Sequence, residues 1–333
     1  MGSGIGQRAS GIGQRAAGIG QLAAVVVALT AACKPPISVT PAPATASAEL
    51  TALTGAAVVI AAGDIGSCDS NGDELTARTV DSILRVDSIA GVEDVVITVG
   101  DNAYPNANER DFANCFRPSW GDTTKSIMRH IRPTPGNHEH RTERAAPYYR
   151  FFGRAAGDPG KGYYAYDHGA WRMIALNSEI LVNADFGPRD REEQQSWLED
   201  ELESNRKRCT LAYFHHPRWS SGWHGSDVRM DNLYRALYEG GADVVLTGHD
   251  HHYERFLPLD PSGQLDTARG LVSFVLGTGG IELRGINRPQ SYSAARVLGR
   301  WGVLKMTLGR EEYQWAFIEP GGRVWDPGHA RCH

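Results

Sequence analysis

The chain has 333 residues, 41% hydrophobic and 22% charged, the composition of a globular protein with a substantial core. Its length allows one large α/β domain or two small ones. A formal net charge of −5 argues against a nucleic-acid partner, which would favour a basic surface.

Residues 1–33 read as an export leader. Arg8 and Arg15 lie in a region without acidic residues, and an apolar run from Leu22 to Ala32 follows. About eleven residues are too few for a bilayer span, which needs about 20, but suit a secretory signal. The run ends Leu29-Thr30-Ala31-Ala32-Cys33, which resembles a lipoprotein cleavage site with Cys33 as the lipidated residue. Thr30 is unusual there, so free secretion stays open as the alternative to a lipid-anchored envelope protein. Gly4–Ser10, Gly11–Ala17 and Gly18–Ala24 repeat one seven-residue unit, read here as part of the leader. Residues 34–55, with four prolines and no hydrophobic period, read as a tether, and residues 56–333 as the folded domain.

The first strand predicted is Val58–Ala62, running into Gly63-Asp64; a helix is expected over Glu74–Val86. Val95–Val99 runs into Gly100-Asp101, and Ile131–Pro135 into Gly136-Asn137-His138. Tyr163–Tyr166 and Trp171–Leu176 suggest a hairpin turning at Gly169, followed by a charged helix over Arg189–Arg206. Leu211–Phe214 runs into His215-His216, a helix covers Asp227–Tyr238, and Asp243–Leu246 runs into Gly248-His249. Val272–Leu276, Val303–Leu308 and Tyr313–Ile318 complete the strands. Alternating strands and helices, then consecutive strands, predict an α/β sandwich with mixed sheets.

Cys68, Cys115, Cys209 and Cys332 are the disulfide candidates of an oxidising compartment. Spacing leaves their connectivity open. Cys68–Cys115 is the expected pair between neighbouring strand-end loops, and Cys209–Cys332 the pair that would pin the C-terminal tail. None has the Cys-x-x-Cys spacing of a metal site.

Five strands end in polar clusters: Gly63-Asp64-Ile65-Gly66, Gly100-Asp101-Asn102-Ala103-Tyr104, Gly136-Asn137-His138-Glu139, His215-His216-Pro217 and Gly248-His249-Asp250-His251. Each alone is a turn signal. Together they set hard oxygen donors and imidazoles at strand carboxyl ends, where α/β sheets bind ligands.

These clusters resemble the signature of the calcineurin-like metallophosphoesterases, and more narrowly that of the purple acid phosphatase family. Asp-x-Gly at Asp64, Tyr104 three residues after Asp101, and Gly-His-Asp-His-His-Tyr-Glu-Arg from Gly248 to Arg255 carry the narrower likeness. It covers about residues 56–330. The resemblance implies a four-layer αββα sandwich with two mixed sheets. It also implies two metal ions, one on Asp64, Asp101, Tyr104 and His251, the other on Asp101, Asn137, His215 and His249, with Asp101 bridging. The phenolate implies iron(III) in the first site; the second would hold zinc, manganese or iron(II). His215 is chosen over His216 because the family pattern is His-x-Pro; His216 and His252 are then expected as supporting or surface residues.

The chemistry so implied is hydrolysis of small phosphate monoesters, acid phosphatase-like, by attack of a metal-bound hydroxide. His138, beside Asn137, is the candidate general acid. His224, nine residues after His215, stands where the family has a substrate-facing histidine; the family's neighbouring histidine is Gly225 here. The rivals are a phosphodiesterase on the same metals and a non-catalytic phosphate- or metal-binding surface lipoprotein. Asn106–Glu109, Trp219–Trp223 and Gly285–Ser293 are expected to shape the substrate site. Gly277-Thr278-Gly279-Gly280 reads as a strand-end turn near it, since it lacks the spacing and following helix of a nucleotide loop.

Overall fold

The computed structural model describes residues 1–2 and 56–333; the leader, Cys33 and the tether lie outside the described residues. Thirteen strands among the described residues form two mixed sheets. In the first sheet β1 (Ala57–Ala62), β2 (Glu93–Val99) and β3 (Ile131–Thr134) run parallel. Beside β1 lie, antiparallel to one another, β11 (Val303–Leu308), β12 (Glu312–Ile318) and β13 (Val324–Arg331). The second sheet has a parallel centre of β5 (Trp171–Ala175), β6 (Cys209–Tyr213), β7 (Val244–Thr247) and β9 (Val272–Leu276). Antiparallel β4 (Tyr164–His168) flanks one side, and β8 (Tyr253–Phe256) and β10 (Ser293–Val297) the other.

The strand sequences explain the layers. β1 is apolar throughout and buried at every position, as a strand covered on both faces must be. Its side chains alternate. Val59 and Ala61 point inward with Val95, Ile97 and Val99 of β2 and meet Met173, Leu211, Leu246 and Phe274 of the second sheet. Val58, Ile60 and Val96 point outward against Ala77, Val80 and Leu84 of the helix Gly72–Ile89. On the far side Ile174, Ala212 and Val245 meet Leu198 and Leu202 of the helix Pro188–Ser204 and Leu233 and Leu237 of the helix Asp231–Glu239. Helix, sheet, sheet, helix is the four-layer order.

One helix and three strands depart from expectation. The helix predicted over Asp227–Tyr238 begins as a 3-10 turn, Val228–Met230, whose entry Asp227 caps by accepting from the Arg229 amide. Strands β8, β10 and β13 were not expected. β13 contains Asp326, Pro327 and Gly328 and lies at the sheet edge, where proline is tolerated and alternation is weak. Gly328 is required there, because a Cβ would lie 2.2 Å from the Trp315 ring.

Disulfides join Cys68 to Cys115 and Cys209 to Cys332. Among the described residues no helix is long and apolar enough to cross a membrane.

Candidate metal centre

β1, β2 and β3 of one sheet and β6 and β7 of the other point their carboxyl ends at the same place. Backbone bonds fasten these ends together: the Gly63 amide donates to Leu276 O, Asp64 to Gly100 O, Gly248 to His215 O and Ile281 to Asp64 O. Asp64 (φ 59°), Asp101 (φ 50°) and His249 (φ 69°) occupy the left-handed region, each at a cost of about 1–3 kcal/mol that the surrounding bonds must hold. Two glycines make the convergence possible. A Cβ on Gly100 would lie 2.5 Å from the His215 ring, and one on Gly136 2.3 Å from Asp101 Oδ1.

Asp101 is the hub. Its Oδ2 lies 3.3 Å from His215 Nε2 and accepts from the Tyr104 hydroxyl at 3.1 Å; its Oδ1 accepts from the His138 amide at 2.8 Å. Asn137 Oδ1 is 3.1 Å from His215 Nε2, and His249 Nδ1 is 3.2 Å from that same nitrogen. On the other side Tyr104 donates to Asp64 Oδ1 at 2.8 Å, and His251 Nε2 lies 3.5 Å from it. The structure thus brings all seven expected ligands together, in the two groups expected, with Asp101 touching both.

The donors fit a pair of cations. His215 Nδ1 donates to Val99 O at 2.9 Å and His251 Nδ1 to Glu282 O at 2.8 Å, so each ring turns its Nε2 toward the carboxylates, the nitrogen that would ligate a metal. Asp101, His215 and His249 hold ligand atoms within 4.8 Å of one another. Burial, then the charges of Asp101 and Asp64, push the Tyr104 phenol well above its usual pKa, so only a strong positive charge would make it a ligand. Burial opposes the charged form of His215, yet the Asp101 carboxylate raises its pKa to about 10. Asp101 is thus disposed to pair with positive charge.

His138 and His224 border the same cavity of about 260 Å³, which Asp101, Tyr104, Asn137 and His251 floor. His138 Nδ1 donates to Pro105 O at 2.6 Å, and its Nε2 lies 3.7 Å from Asp101 Oδ2. His224 stacks on His249 with ring centroids 4.1 Å apart.

Two supporting residues, Glu139 and Asp250, had no predicted role. Glu139 accepts from the Gly136, Asp101 and Asn102 amides at 2.7, 3.0 and 2.8 Å, clipping the end of β3 to that of β2. Asp250 holds the His224 loop. His216 and His252 are both buried: His216 Nδ1 is 2.9 Å from Ser178 Oγ, and His252 Nε2 is 3.1 Å from Glu254. The cavity rim is Arg141, Ile281, Glu282 and Arg284; residues of the three loops expected to shape it are not among its lining. The Gly277–Gly280 turn does lie at the centre, with a Cβ on Gly277 placed 3.0 Å from Asp64 Oδ2.

The profile of the calcineurin-like phosphoesterases matches residues 57–253. The chain belongs to that family. It is 29% identical over 252 residues to human (Homo sapiens) acid phosphatase type 7, covering 64% of this chain and 55% of the human protein. It is 25% identical over 244 residues to purple acid phosphatase 15 of Arabidopsis thaliana, covering 62% of this chain and 43% of the plant protein. The chain thus spans about half the length of these relatives. Purple acid phosphatase PPD1 of yellow lupin (Lupinus luteus) seeds shares the fold, with a TM-score of 0.69 at 18% identity over 83% of this chain and 54% of the lupin chain.

Proposed function

We propose that the chain is a binuclear-metal phosphatase acting on small phosphate monoesters. One ion would be held by Asp64, Asp101, Tyr104 and His251, the other by Asp101, Asn137, His215 and His249. The observation that carries this reading is the position of Asp101, whose Oδ2 stands 3.1 Å from the Tyr104 hydroxyl and 3.3 Å from His215 Nε2. One carboxylate between a phenol set and an imidazole set is the arrangement of a bridging ligand. The phenol favours a trivalent ion, hence iron(III), and the nitrogen-rich group a divalent one, zinc, manganese or iron(II). When bound, the ions supply the charge that neutralises phosphate oxygens and activates a water.

The chain's own groups do the rest. His138 Nδ1–H is committed to Pro105 O, so a proton on Nε2 is free to pass to the leaving alkoxide. His224 is held by Asp250 with its remaining nitrogen available to phosphate. Among the described residues no serine or cysteine lines the cavity, which favours direct transfer to water over a phosphoserine or phosphocysteine enzyme. A cavity of about 260 Å³ suits a small ester. Two disulfides favour an exported protein, anchored through Cys33 or free.

Metal analysis paired with a phosphate-release screen over mono- and diesters tests the reading. About two ions per chain, monoester turnover and a violet band abolished by Tyr104→Phe are expected. A preference for diesters would make it a phosphodiesterase, and metal content without turnover a binding protein.

A further inference from the structure

Two guanidinium groups line the cavity above the candidate metal centre, and among the described residues neither is paired with a carboxylate. Arg141 donates through Nη1 to Pro105 O at 2.8 Å, the same carbonyl that orients His138. Arg284 is anchored only by its backbone: its amide donates to His251 O at 2.9 Å, while Glu282 O accepts from His251 Nδ1. The segment is therefore fastened at both ends of His251, and it delivers the Arg284 side chain to the cavity. Among the described residues that side chain, half-buried, has no hydrogen bond, ion pair or aromatic partner. Half-buried arginines elsewhere are treated differently. Arg172 bonds Glu201 and Asp167, Arg255 bonds Asp326, and Arg296 bonds Glu254.

A guanidinium stays charged at any relevant pH and presents a planar fork matched to phosphate or carboxylate. Two such forks in one cavity exceed what the scissile phosphate requires, since His138, His224 and the proposed metal ligands already face it. Among the described residues the rest of the lining is Ile281, its one aliphatic side chain, and the exposed Glu282, which forms no ion pair with either guanidinium, so it offers little to an apolar leaving group.

We infer that Arg284, supported by Arg141, forms a subsite for a second anionic group, so that the preferred substrates are small phosphate esters carrying another phosphate or a carboxylate. This rests on the phosphatase reading and narrows its substrate class. Arg284 is a specificity residue: it grips the part of the substrate that does not react.

The test compares three esters on metal-loaded protein: glycerol 3-phosphate, 3-phosphoglycerate and 1,3-propanediol bisphosphate. The wild-type protein should prefer at least one of the two doubly anionic esters by about 10-fold or more in kcat/KM. Which of them is preferred identifies the second group as carboxylate or phosphate. Arg284→Gln should collapse that preference by about 10-fold, mainly through KM, and Arg284→Lys should restore part of it. Equal losses on all three esters would mean that Arg284 holds the reacting phosphate, and the subsite would be refuted. So would a wild-type protein without the preference. Calorimetric binding of propane-1,3-bisphosphonate against propylphosphonate gives an answer independent of turnover. The bisphosphonate should bind the more tightly, and Arg284→Gln should erase the difference. If no ester is hydrolysed yet that difference is present, the phosphatase reading fails and the anion subsite stands.

Discussion

Asp250 grips His224 twice: its Oδ1 accepts from the His224 amide at 2.9 Å and lies 3.2 Å from the ring Nδ1. Its Oδ2 accepts from the Gly225 amide at 3.1 Å and from the Ser220 hydroxyl. The carboxylate is buried, so these donors have no competing water. It therefore orders the loop over the cavity and fixes which His224 nitrogen faces outward. Every group around it donates, and a side-chain amide would turn its own N–H bonds toward one pair of them.

Asp250→Asn should accordingly lose about 10-fold or more in kcat/KM, the loss of charged hydrogen bonds worth roughly 1.5–3 kcal/mol each. His224→Ala in the same background should cost little more, because both changes remove one function. Steady-state kinetics on the single and double variants check this. Additive losses would separate the two residues.

His138→Ala should depress turnover of alkyl phosphates by about 10²–10⁴-fold and of p-nitrophenyl phosphate far less, since a good leaving group needs no proton. Metal content should stay near wild type. The hydrogen bond from His138 to the centre is made by its amide, which donates to Asp101 Oδ1 and which alanine retains. A common loss factor across leaving groups would remove it as the acid.

The two disulfides should separate on testing. Cys209–Cys332 closes 123 residues of sequence and holds the tail, where the His333 amide donates to Asp243 Oδ1 at 2.9 Å. Replacing both cysteines by serine should cost roughly 2–5 kcal/mol of stability and leave turnover at 25 °C intact. Cys68–Cys115 instead anchors the loop after Asp64, in which the Gly66 amide donates to Asn102 O and the Tyr104 amide to Gly66 O. Serines there should lower metal content as well as the melting temperature. Thermal melts and metal analysis on both variants read the difference.

How far the sequence reaches can be seen from these residues. An apolar run ending in Gly-Asp, Gly-Asn or Gly-His exposes a strand and its terminal donor together, so the β1, β2, β3 and β7 ligands were legible, as was the alternation that builds the layers. Asp250 and Glu139 were visible as types, but their partners are backbone amides of other segments, which no local spacing reveals. Arg284 was hidden for a related reason. Its place at the rim depends on the bonds between its segment and His251, and nothing in the loop sequence announces them. For His216 the sequence left a supporting and a surface place open, and packing against Ser178 and Glu179 buries it. β13 failed the alternation test because an edge strand needs only one partner and tolerates Pro327.

Asp94 offers a pH test remote from the centre, at the opposite end of β2 from Asp101. Burial, then the neighbouring Asp87 carboxylate, raises its pKa from 3.8 to about 7, against the opposing charge of Lys305, which is paired with Asp87 at 2.8 Å. Its Oδ1 is buried without a hydrogen-bond partner. The folded protein thus binds the Asp94 proton more tightly than the unfolded chain does. The stability gained in this way is complete below about pH 3.8 and is lost as pH rises through 7. Asp94→Asn keeps a neutral side chain at every pH. It should therefore melt about 2–4 °C above wild type at pH 8, a modest gain because the site is partly exposed and screened. At pH 4 the advantage should vanish. Paired melting curves at the two pH values decide it: the same shift at both would mean that packing, not the ionised carboxylate, sets the cost.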